Sequence, residues 1–433
     1  MVNVSNIYGF INKILEVFIL IFYRFLPSYR YDINRIRIIF NNILYSTNDN
    51  NTVNRQSSND GSTIKIGLLT NEIPPIIYGG VATWIVNFIK MFEGDTDIEV
   101  VPIFLAYNDT LPKECYMKYK NIRVINTRED INNTFNDINV CINNLWISED
   151  TIIDIKNIFP NINIITVCHS LIRMENITNL GSCYTNNYNL QEITFKESDY
   201  VVLISKAEEK YYNLFGYSNI NENTRVIYNS YKPQYDNKNK NINYESNDIG
   251  YIGRHVPRKR PELPIIAVDK LNKSDIHVFN MGVDYDKYDN EYWRILENRY
   301  KGKLTIIPFT SDKKIKEEYW KNIGVNCITG IYEPFGYTIC ESIDRGIPVV
   351  VSYIDGPKEI IDEVKDYVYT YDVDIDNYNI DIDNISKALI KVWDTPPKQR
   401  EINSRLARVC LDKLRPEVIK EEWKKLIYEI INN

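Results

Sequence analysis

Two glutamates eight positions apart, Glu333 and Glu341, enclose the most distinctive chemistry in this sequence. The pattern predicts a strand that ends near Ile328, a loop that carries Glu333, and a helix from about Gly336 to Arg345. Free N–H groups at the start of such a helix, with its dipole, form a site for an anion such as phosphate. Gly336 would let the phosphate approach the backbone closely. Both carboxylates can face one cleft and bind sugar or ribose hydroxyl groups. The structural alternative is a helix cap at Glu333 and a solvated face at Glu341.

A basic loop supplies a second candidate site. Gly253 and Arg254 directly follow a predicted strand, and Lys259 comes five residues after Arg254. Cationic side chains at the carboxyl end of a strand can hold a diphosphate, because Arg offers paired donors and Lys a point charge. The structural alternative is an ordinary solvated loop, and we assign Arg258 and Arg260 to solvated surface.

The N-terminal half adds two weaker candidates. Gly79 and Gly80 lie between a predicted strand at Lys65 to Thr70 and the following helix, where a loop without side chains can approach a ligand closely. His169 follows a predicted strand at Asn163 to Val167, which points it towards the same cleft. Most double glycines are simple turns, and most single histidines are structural, so these residues need support from their surroundings.

The elements that position these residues alternate between apolar runs of strand length and helical patterns, which predicts parallel sheets with helices on both faces. The polar segment Tyr231 to Asp248 divides the alternation into two halves. We therefore predict an α/β fold with two Rossmann-like domains, at residues 63–235 and 236–433, facing each other across a cleft. The cleft at the carboxyl ends of both sheets is the expected ligand site.

The amino-acid composition of the chain argues against some classes of function. The formal net charge of −7 gives no general reason to bind nucleic acid, which normally requires a basic face. Seven scattered cysteines without a C-x-x-C pair are typical of reduced thiols, which favours the cytoplasm. The three histidines lack the spacing of metal ligands. The D-x-D strings among Asp372, Asp374, Asp376, Asp381 and Asp383 are interpreted as an acidic loop, so we predict no metal site.

The string from Ile331 to Ile361 resembles the signature of retaining glycosyltransferases of family 4, which have the GT-B fold. That family has two glutamates eight positions apart, Pro-Phe-Gly after the first, and Gly-x-Pro-Val-Val after the second, as here at Gly346 to Val350. The Gly-Arg pair followed by Lys259 is also similar to the family's grip on the donor diphosphate. Two departures, Pro308-Phe309 and Gly330, bear on nucleobase and sugar preference.

The resemblance implies transfer of a hexose from a nucleoside diphosphate sugar to a glycan or lipid-linked acceptor, with no cofactor and no metal. It further implies that the N-terminal domain binds the acceptor, that the second domain binds the donor, and that the final helix packs back on the first domain. The catalytic positions carried over are Glu333, His169, Arg254 and Lys259. The donor-binding positions are Gly79, Gly80, Arg254, Lys259, Phe335, Gly336, Tyr337 and Glu341. The alternatives are a sugar-nucleotide epimerase with the same cleft and a non-catalytic module that binds nucleotide sugar or protein.

Residues 1–62 are expected to form a separate amphipathic N-terminal segment and flexible linker, and the family core does not need the first 45 of them. A helix here would be apolar around most of its circumference, and Arg30, Arg35 and Arg37 would add positive charge suited to an anionic lipid surface. We expect residues 7–40 to attach peripherally to a membrane, with Ser46 to Ser62 as a flexible linker. Docking on the first domain and a true membrane span are the alternatives.

Overall fold

The computed structural model describes residues 63–106, 111–145, 149–179, 188–235, 242–283 and 290–432. Within them lie a seven-stranded and a six-stranded sheet, in which all the strand pairs are parallel. The expected architecture of two parallel α/β sheets is therefore confirmed. The expectations for residues 1–62 fall outside the described residues. In the part of the chain that the structure covers, no helix is both long enough and apolar enough to cross a membrane.

The first sheet has the strand order β3-β2-β1-β4-β5-β6-β7, so that β1 and β4 lie at its centre. Its strands are β1 (Ile64–Thr70), β2 (Ile98–Leu105), β3 (Arg123–Ile125), β4 (Val140–Asn143), β5 (Asn163–Cys168), β6 (Tyr200–Leu203) and β7 (Thr224–Val226). Its helices are α1 (Gly80–Met91), α2 (Lys113–Lys118), α3 (Asp130–Phe135), α4 (Glu149–Ile158), α5 (Ile172–Thr178), α6 (Tyr188–Glu197) and α7 (Lys206–Leu214), with a short 3₁₀ helix at Tyr217–Asn219.

The second sheet has the order β10-β9-β8-β11-β12-β13. Its strands are β8 (Ile249–Ile252), β9 (Val278–Val283), β10 (Leu304–Pro308), β11 (Val325–Ile328), β12 (Val349–Ser352) and β13 (Tyr369–Tyr371). The helices are α8 (Leu263–Lys270), α9 (Asn290–Arg299), α10 (Lys313–Asn322), α11 (Tyr337–Arg345), α12 (Asp355–Ile361), α13 (Tyr378–Asp394), α14 (Pro397–Ala407) and α15 (Pro416–Asn432). Three 3₁₀ helices occupy Pro257–Lys259, Asp362–Tyr367 and Arg408–Leu414.

The strands form because short apolar runs can be buried on both faces of a parallel sheet. All four residues of β11 and of β12 are buried, and helices cover both faces. Helix α1 shows the complementary pattern, because it buries Trp84, Ile85 and Phe88 at helical spacing against the first sheet. This packing places the carboxyl ends of the strands, and the loops that follow them, on open edges.

The last helix, α15, packs on the first sheet's helix α1. The Trp423 ring meets Trp84 edge-on at 5.9 Å and Phe88 at 5.1 Å between ring centroids. Lys420 and Lys424 both contact the Asp95 carboxylate, at 2.7 and 2.8 Å. Burial opposes ionisation of Asp95, but these ammonium groups hold its pKa well below the usual value. The chain thus returns from the second sheet to cover the first.

Two sequence-based assignments to surface are wrong. Arg258 and Arg260 are only 4% and 7% exposed. Arg260 pairs with Asp381, which is fully buried in the first turn of α13 and does not belong to a solvated acidic loop. A buried cation requires a compensating anion, and both arginines obtain one from a distant part of the chain.

Candidate active site

A cavity of about 160 Å³ lies at the carboxyl ends of β1, β4 and β5 and reaches the loop after β8. Its walls come mainly from the first sheet, and Arg254 is contributed by the second. The lining residues with polar side chains are Glu72, Asn144, Thr166, His169, Ser170, Glu175, Gln191 and Arg254. Charged groups of both signs therefore meet where two parallel sheets face each other, which is the usual position of a ligand site in such folds.

His169 follows β5 directly and points into this cavity. Its Nε2 lies 2.9 Å from Oδ1 of Asn144, and its ring meets the edge of Trp84 at 5.2 Å between centroids. Burial lowers the pKa of His169 to about 3, so the imidazole is neutral at physiological pH. A neutral ring held on two sides can form a hydrogen bond with a ligand but carries no charge to attract one.

Gly79 and Gly80 lie at the start of α1, beside the same cavity wall formed by Val81. A side chain added at Gly80 would meet no described atom within 4 Å, and at Gly79 the nearest atom is a Glu72 carboxylate oxygen at 3.9 Å. Neither residue has the positive φ that makes glycine necessary for the backbone. The absence of side chains therefore leaves open space in front of the N-terminus of a 12-residue helix.

Glu72, two residues beyond β1, was not singled out by the sequence analysis. Burial raises the pKa of its carboxyl group, and the nearby charge of Arg254 lowers it. The position of Glu72 after a strand's carboxyl end was the available signal, but one acidic residue in a loop is too common a pattern to select. Only the opposing sheet shows that this carboxylate faces a guanidinium group.

The cationic side chains of the basic loop are of two kinds. Arg258 contacts Glu175 at 3.2 Å and Arg260 pairs with Asp381, so that both charges are compensated inside the protein. Arg254, in contrast, is exposed, and its side chain has no hydrogen-bond partner among the described residues. Its charge remains available to a ligand.

Lys259 is the fourth cation of this loop, and its ammonium group contacts the Glu333 carboxylate. The two side chains are 19% and 14% exposed, so the pair is largely shielded from water. Burial and the positive charges of Arg258 and Arg254 lower the pKa of Lys259, and the negative charge of Glu175 opposes that shift. The two candidate sites of the sequence, the basic loop and the glutamate loop, therefore meet directly in space.

Hydrogen bonds on both sides of Glu333 hold its backbone. Its N–H donates to Oδ2 of Asp355 at 3.2 Å, and the N–H of Gly356 donates to its carbonyl oxygen at 3.1 Å. Asp355 also accepts a hydrogen bond from the Tyr211 hydroxyl on α7, at 2.8 Å. Burial raises the pKa of Asp355 to about 6, although the Tyr211 hydroxyl lowers it. The glutamate loop is thus anchored to both sheets.

Helix α11 begins at Tyr337, one residue after its predicted start. Gly336 precedes it with φ +110°, a conformation that favours glycine, and no side chain caps the helix. The N–H of Ile339 donates to the carbonyl oxygen of Gly336 at 3.0 Å, but those of Tyr337 and Thr338 have no acceptor among the described residues and remain open to an anion. The Phe335 side chain is buried in the core and the Tyr337 ring packs partly against it, so the ligand-facing part of these residues would be the main chain.

Glu341 lies farther along α11 and is half-buried. Burial raises the pKa of its carboxyl group, while Lys316 and Arg345 lower it. No described side chain donates a hydrogen bond to it, and no described contact joins it to the cavity residues. Among the described residues, no group of three His, Cys, Asp or Glu side chains is placed to hold a metal ion.

Comparison with known families identifies residues 234–407 as a match to the model of glycosyl transferases group 1. A similar protein is an uncharacterized glycosyltransferase of Methanocaldococcus jannaschii, 25% identical over 237 residues. This match covers 49% of the chain and 59% of the archaeal protein. The matched region contains Arg254, Lys259, Glu333 and Glu341. These four are the candidate site residues with charged side chains in the second sheet's domain.

Solved structures resemble the fold over most of the chain. Sucrose-phosphate synthase from Thermosynechococcus elongatus superimposes with a TM-score of 0.67 at 15% identity, covering 85% of this chain and 99% of that one. The Anabaena protein HepE, solved in complex with UDP and glucose, gives a TM-score of 0.64 at 14% identity, covering 84% and 99%. Residues 234–407 therefore match glycosyl transferases group 1, and the two sheets around the cleft form a GT-B fold.

Proposed function

We propose that the protein is a retaining glycosyltransferase of family 4, which moves a hexosyl group from a nucleoside diphosphate sugar to an acceptor hydroxyl in glycan or glycolipid synthesis. The observation that carries the proposal is the division of the basic loop into compensated and available cations. Arg254 is free among the described residues, and Lys259 is held only by the exchangeable carboxylate of Glu333. Two cations beside an open helix N-terminus match the charge of a diphosphate.

In the proposed reaction, Lys259 exchanges its contact with Glu333 for a donor phosphate oxygen. Arg254 and the open N–H groups of Tyr337 and Thr338 at the start of α11 bind the remaining phosphate charge. This arrangement stabilises the leaving diphosphate most strongly when its charge is greatest, in the transition state. Glu333, released from Lys259, would accept hydrogen bonds from hydroxyl groups of the transferred sugar.

The first sheet would supply the acceptor side and a further contact to the sugar. His169 is neutral and oriented by Asn144 and Trp84. Its Nε2–H donates to Oδ1 of Asn144, so its Nδ1 can accept one hydrogen bond from a ligand without adding charge beside the sugar. The space in front of Gly79 and Gly80 would admit the donor phosphates and the acceptor hydroxyl together. HepE, a structural relative, was solved with UDP and glucose, which supports a sugar nucleotide as donor.

Glu341 would bind the ribose of the donor. Its carboxyl group is half-buried and lacks a described hydrogen-bond donor, and two ribose hydroxyl groups would provide such donors. Because a ribose contact acts on bound donor and transition state alike, it contributes to affinity more than to turnover.

The test is incubation of the purified protein with UDP-glucose, UDP-galactose, UDP-N-acetylglucosamine, GDP-mannose and ADP-glucose, with and without an acceptor panel of alkyl glycosides. Transfer, or slow hydrolysis of one donor without acceptor, supports the proposal. Interconversion of two sugar nucleotides would identify an epimerase, and binding without reaction would identify a non-catalytic module. Retention is checked by the anomeric configuration of the product.

We also propose peripheral attachment to an anionic membrane through residues 7–40, which would bring the protein to a lipid-linked acceptor. The support is the apolar character of that segment and its arginines. In flotation with anionic liposomes, the full chain should float and a chain starting at Ser62 should stay at the bottom. Equal behaviour of the two chains would contradict the proposal.

A further inference from the structure

Tyr332 directly precedes Glu333 in the loop after β11, but its side chain packs in the hydrophobic core of the first sheet's domain. Its side chain is fully buried in a cluster formed otherwise by residues of the first sheet and its helices, including Leu171, Phe195 and Tyr212. Its ring also meets the Tyr211 ring of α7 edge-on at 6.0 Å. A side chain from the glutamate loop is therefore part of the hydrophobic core that supports the His169 loop.

The hydroxyl group of Tyr332 makes two hydrogen bonds within that core. The N–H of Leu171 donates to it at 2.9 Å, and it donates to Oε2 of Glu208 at 3.0 Å. Leu171 is two residues from His169, and Tyr332 is one residue from Glu333. One buried hydroxyl group thus connects the backbone beside the histidine to the backbone beside the glutamate.

Arg258 reinforces the same connection from the basic loop. Its guanidinium donates to the carbonyl oxygen of Tyr332 at 3.0 Å and to Glu175 at 3.2 Å, and lies 5.6 Å from the centre of the Tyr332 ring. Arg258 directly precedes Lys259. The loops of Lys259, Glu333 and His169 therefore all contact Tyr332 or its immediate neighbours.

We propose that Tyr332 is a positioning residue for the transfer reaction, which holds the Lys259–Glu333 pair and His169 in one fixed arrangement across the cleft. The inference rests on the proposed function. Both sides of a transfer site must be aligned closely, because a displacement of about 1 Å can cost about 100-fold in rate. Tyr332 acts on this alignment without touching the substrate, since its hydroxyl group is occupied by Leu171 and Glu208.

The variant Tyr332→Phe removes only the hydroxyl group and keeps the ring in the core. It removes the hydroxyl group that accepts from the N–H of Leu171 and donates to the Glu208 carboxyl group, so the two loops should separate slightly. We expect kcat for the donor selected by the wild-type protein to fall roughly 10- to 100-fold. The Kd of the matching nucleoside diphosphate should change less than about twofold, because Arg254 and helix α11 keep their positions.

Tyr212→Phe is the matched control. Tyr212 is buried in the same cluster, and its hydroxyl group also hydrogen-bonds to the backbone, donating to the carbonyl oxygen of Asn221 at 3.1 Å. That contact stays within the first sheet's domain and touches neither the glutamate loop nor the basic loop. The two variants should lose similar stability, but only Tyr332→Phe should lose turnover.

Equal kcat in Tyr332→Phe and Tyr212→Phe would overturn the inference, as would a loss of nucleotide affinity that matches the loss of kcat. If Tyr332→Phe fails to fold, Glu208→Leu tests the same hydrogen bond from the other side, and Glu208→Gln should restore turnover because its amide oxygen still accepts. A wild-type protein that turns over no donor of the panel would refute the proposed function instead.

Discussion

Replacement of the buried Glu208 by glutamine should make the stability of the protein less dependent on pH. The Glu208 side chain is fully buried, and its Oε1 has no hydrogen-bond partner among the described residues. Burial, together with the negative charges of Asp355 and Glu175, raises its pKa to about 8, although hydrogen bonds from Tyr332 and from the N–H of Leu171 lower it. The folded protein thus keeps a proton that the unfolded chain releases near pH 4.5.

The sign and size of the effect follow from this difference. Between about pH 4.5 and pH 8 the folded state binds more protons than the unfolded state, so the free energy of unfolding falls as pH rises. At about 1.36 kcal/mol per unit of pKa, the full shift corresponds to about 5 kcal/mol. Glutamine is neutral at every pH, so the stability of Glu208→Gln relative to wild type should rise through this window and level off above it.

The assay is urea unfolding of both proteins at pH 5.5, 6.5, 7.5 and 8.5, followed by circular dichroism. Other groups titrate in both proteins, including Asp355, so the difference between the two midpoints isolates the contribution of Glu208. Glu209→Gln, the partly exposed neighbour on α7, is the matched control and should show a small, constant difference. A constant difference for Glu208→Gln would refute the argument, because it would mean that the buried carboxyl group is ionised throughout.

Three further predictions concern turnover and binding. Lys259→Ala and Arg254→Ala should each reduce kcat by about 10²–10³-fold, because each removes a positive charge that stabilises the departing diphosphate. The exposed control Arg299→Ala should leave kcat unchanged. Near-normal kcat in both site variants would rule out the assigned role. Glu341→Ala should weaken nucleoside diphosphate binding, measured by calorimetry, whereas Glu333→Ala should mainly lower kcat. Unchanged affinity in Glu341→Ala would exclude the ribose contact. Excess EDTA should leave the transfer rate unchanged, and loss of activity with recovery on addition of Mn²⁺ would show that a metal is required.

Much of the fold could be predicted from local pattern alone. The strands β8 and β11 end at Ile252 and Ile328, as predicted, because a buried parallel strand is a continuous apolar run. The strand β2 was not predicted, although it is the longest in the first sheet. It contains Glu99 and Pro102, and such residues weaken the local strand signal. Its neighbour β1 nevertheless pairs with it over seven residues.

The candidate site was predictable residue by residue but not as an arrangement. The patterns singled out Lys259 and Glu333 as members of two separate motifs, and the direct contact between them appears only in the structure. Arg254 and Arg258 look alike in sequence. Which of them is buried depends on Glu175, which lies on a helix of the other sheet. No local pattern could distinguish them, since burial of a charge depends on whether a distant partner exists.

The sequence by itself determined the class of the fold and the chemical types available at the cleft. Alternating apolar runs and helical patterns predict parallel sheets, and glycines, cations and carboxylates after strands predict anion and hydroxyl binding at their carboxyl ends. The tertiary structure alone decided which charges are compensated and which remain available. It also decided that Tyr332, in the loop after β11, completes a hydrophobic core formed by residues of the first sheet and its helices. The physical reason is that side-chain periodicity is a local property of the chain. Ion pairing and interlocking of cores depend instead on contacts between residues far apart in sequence.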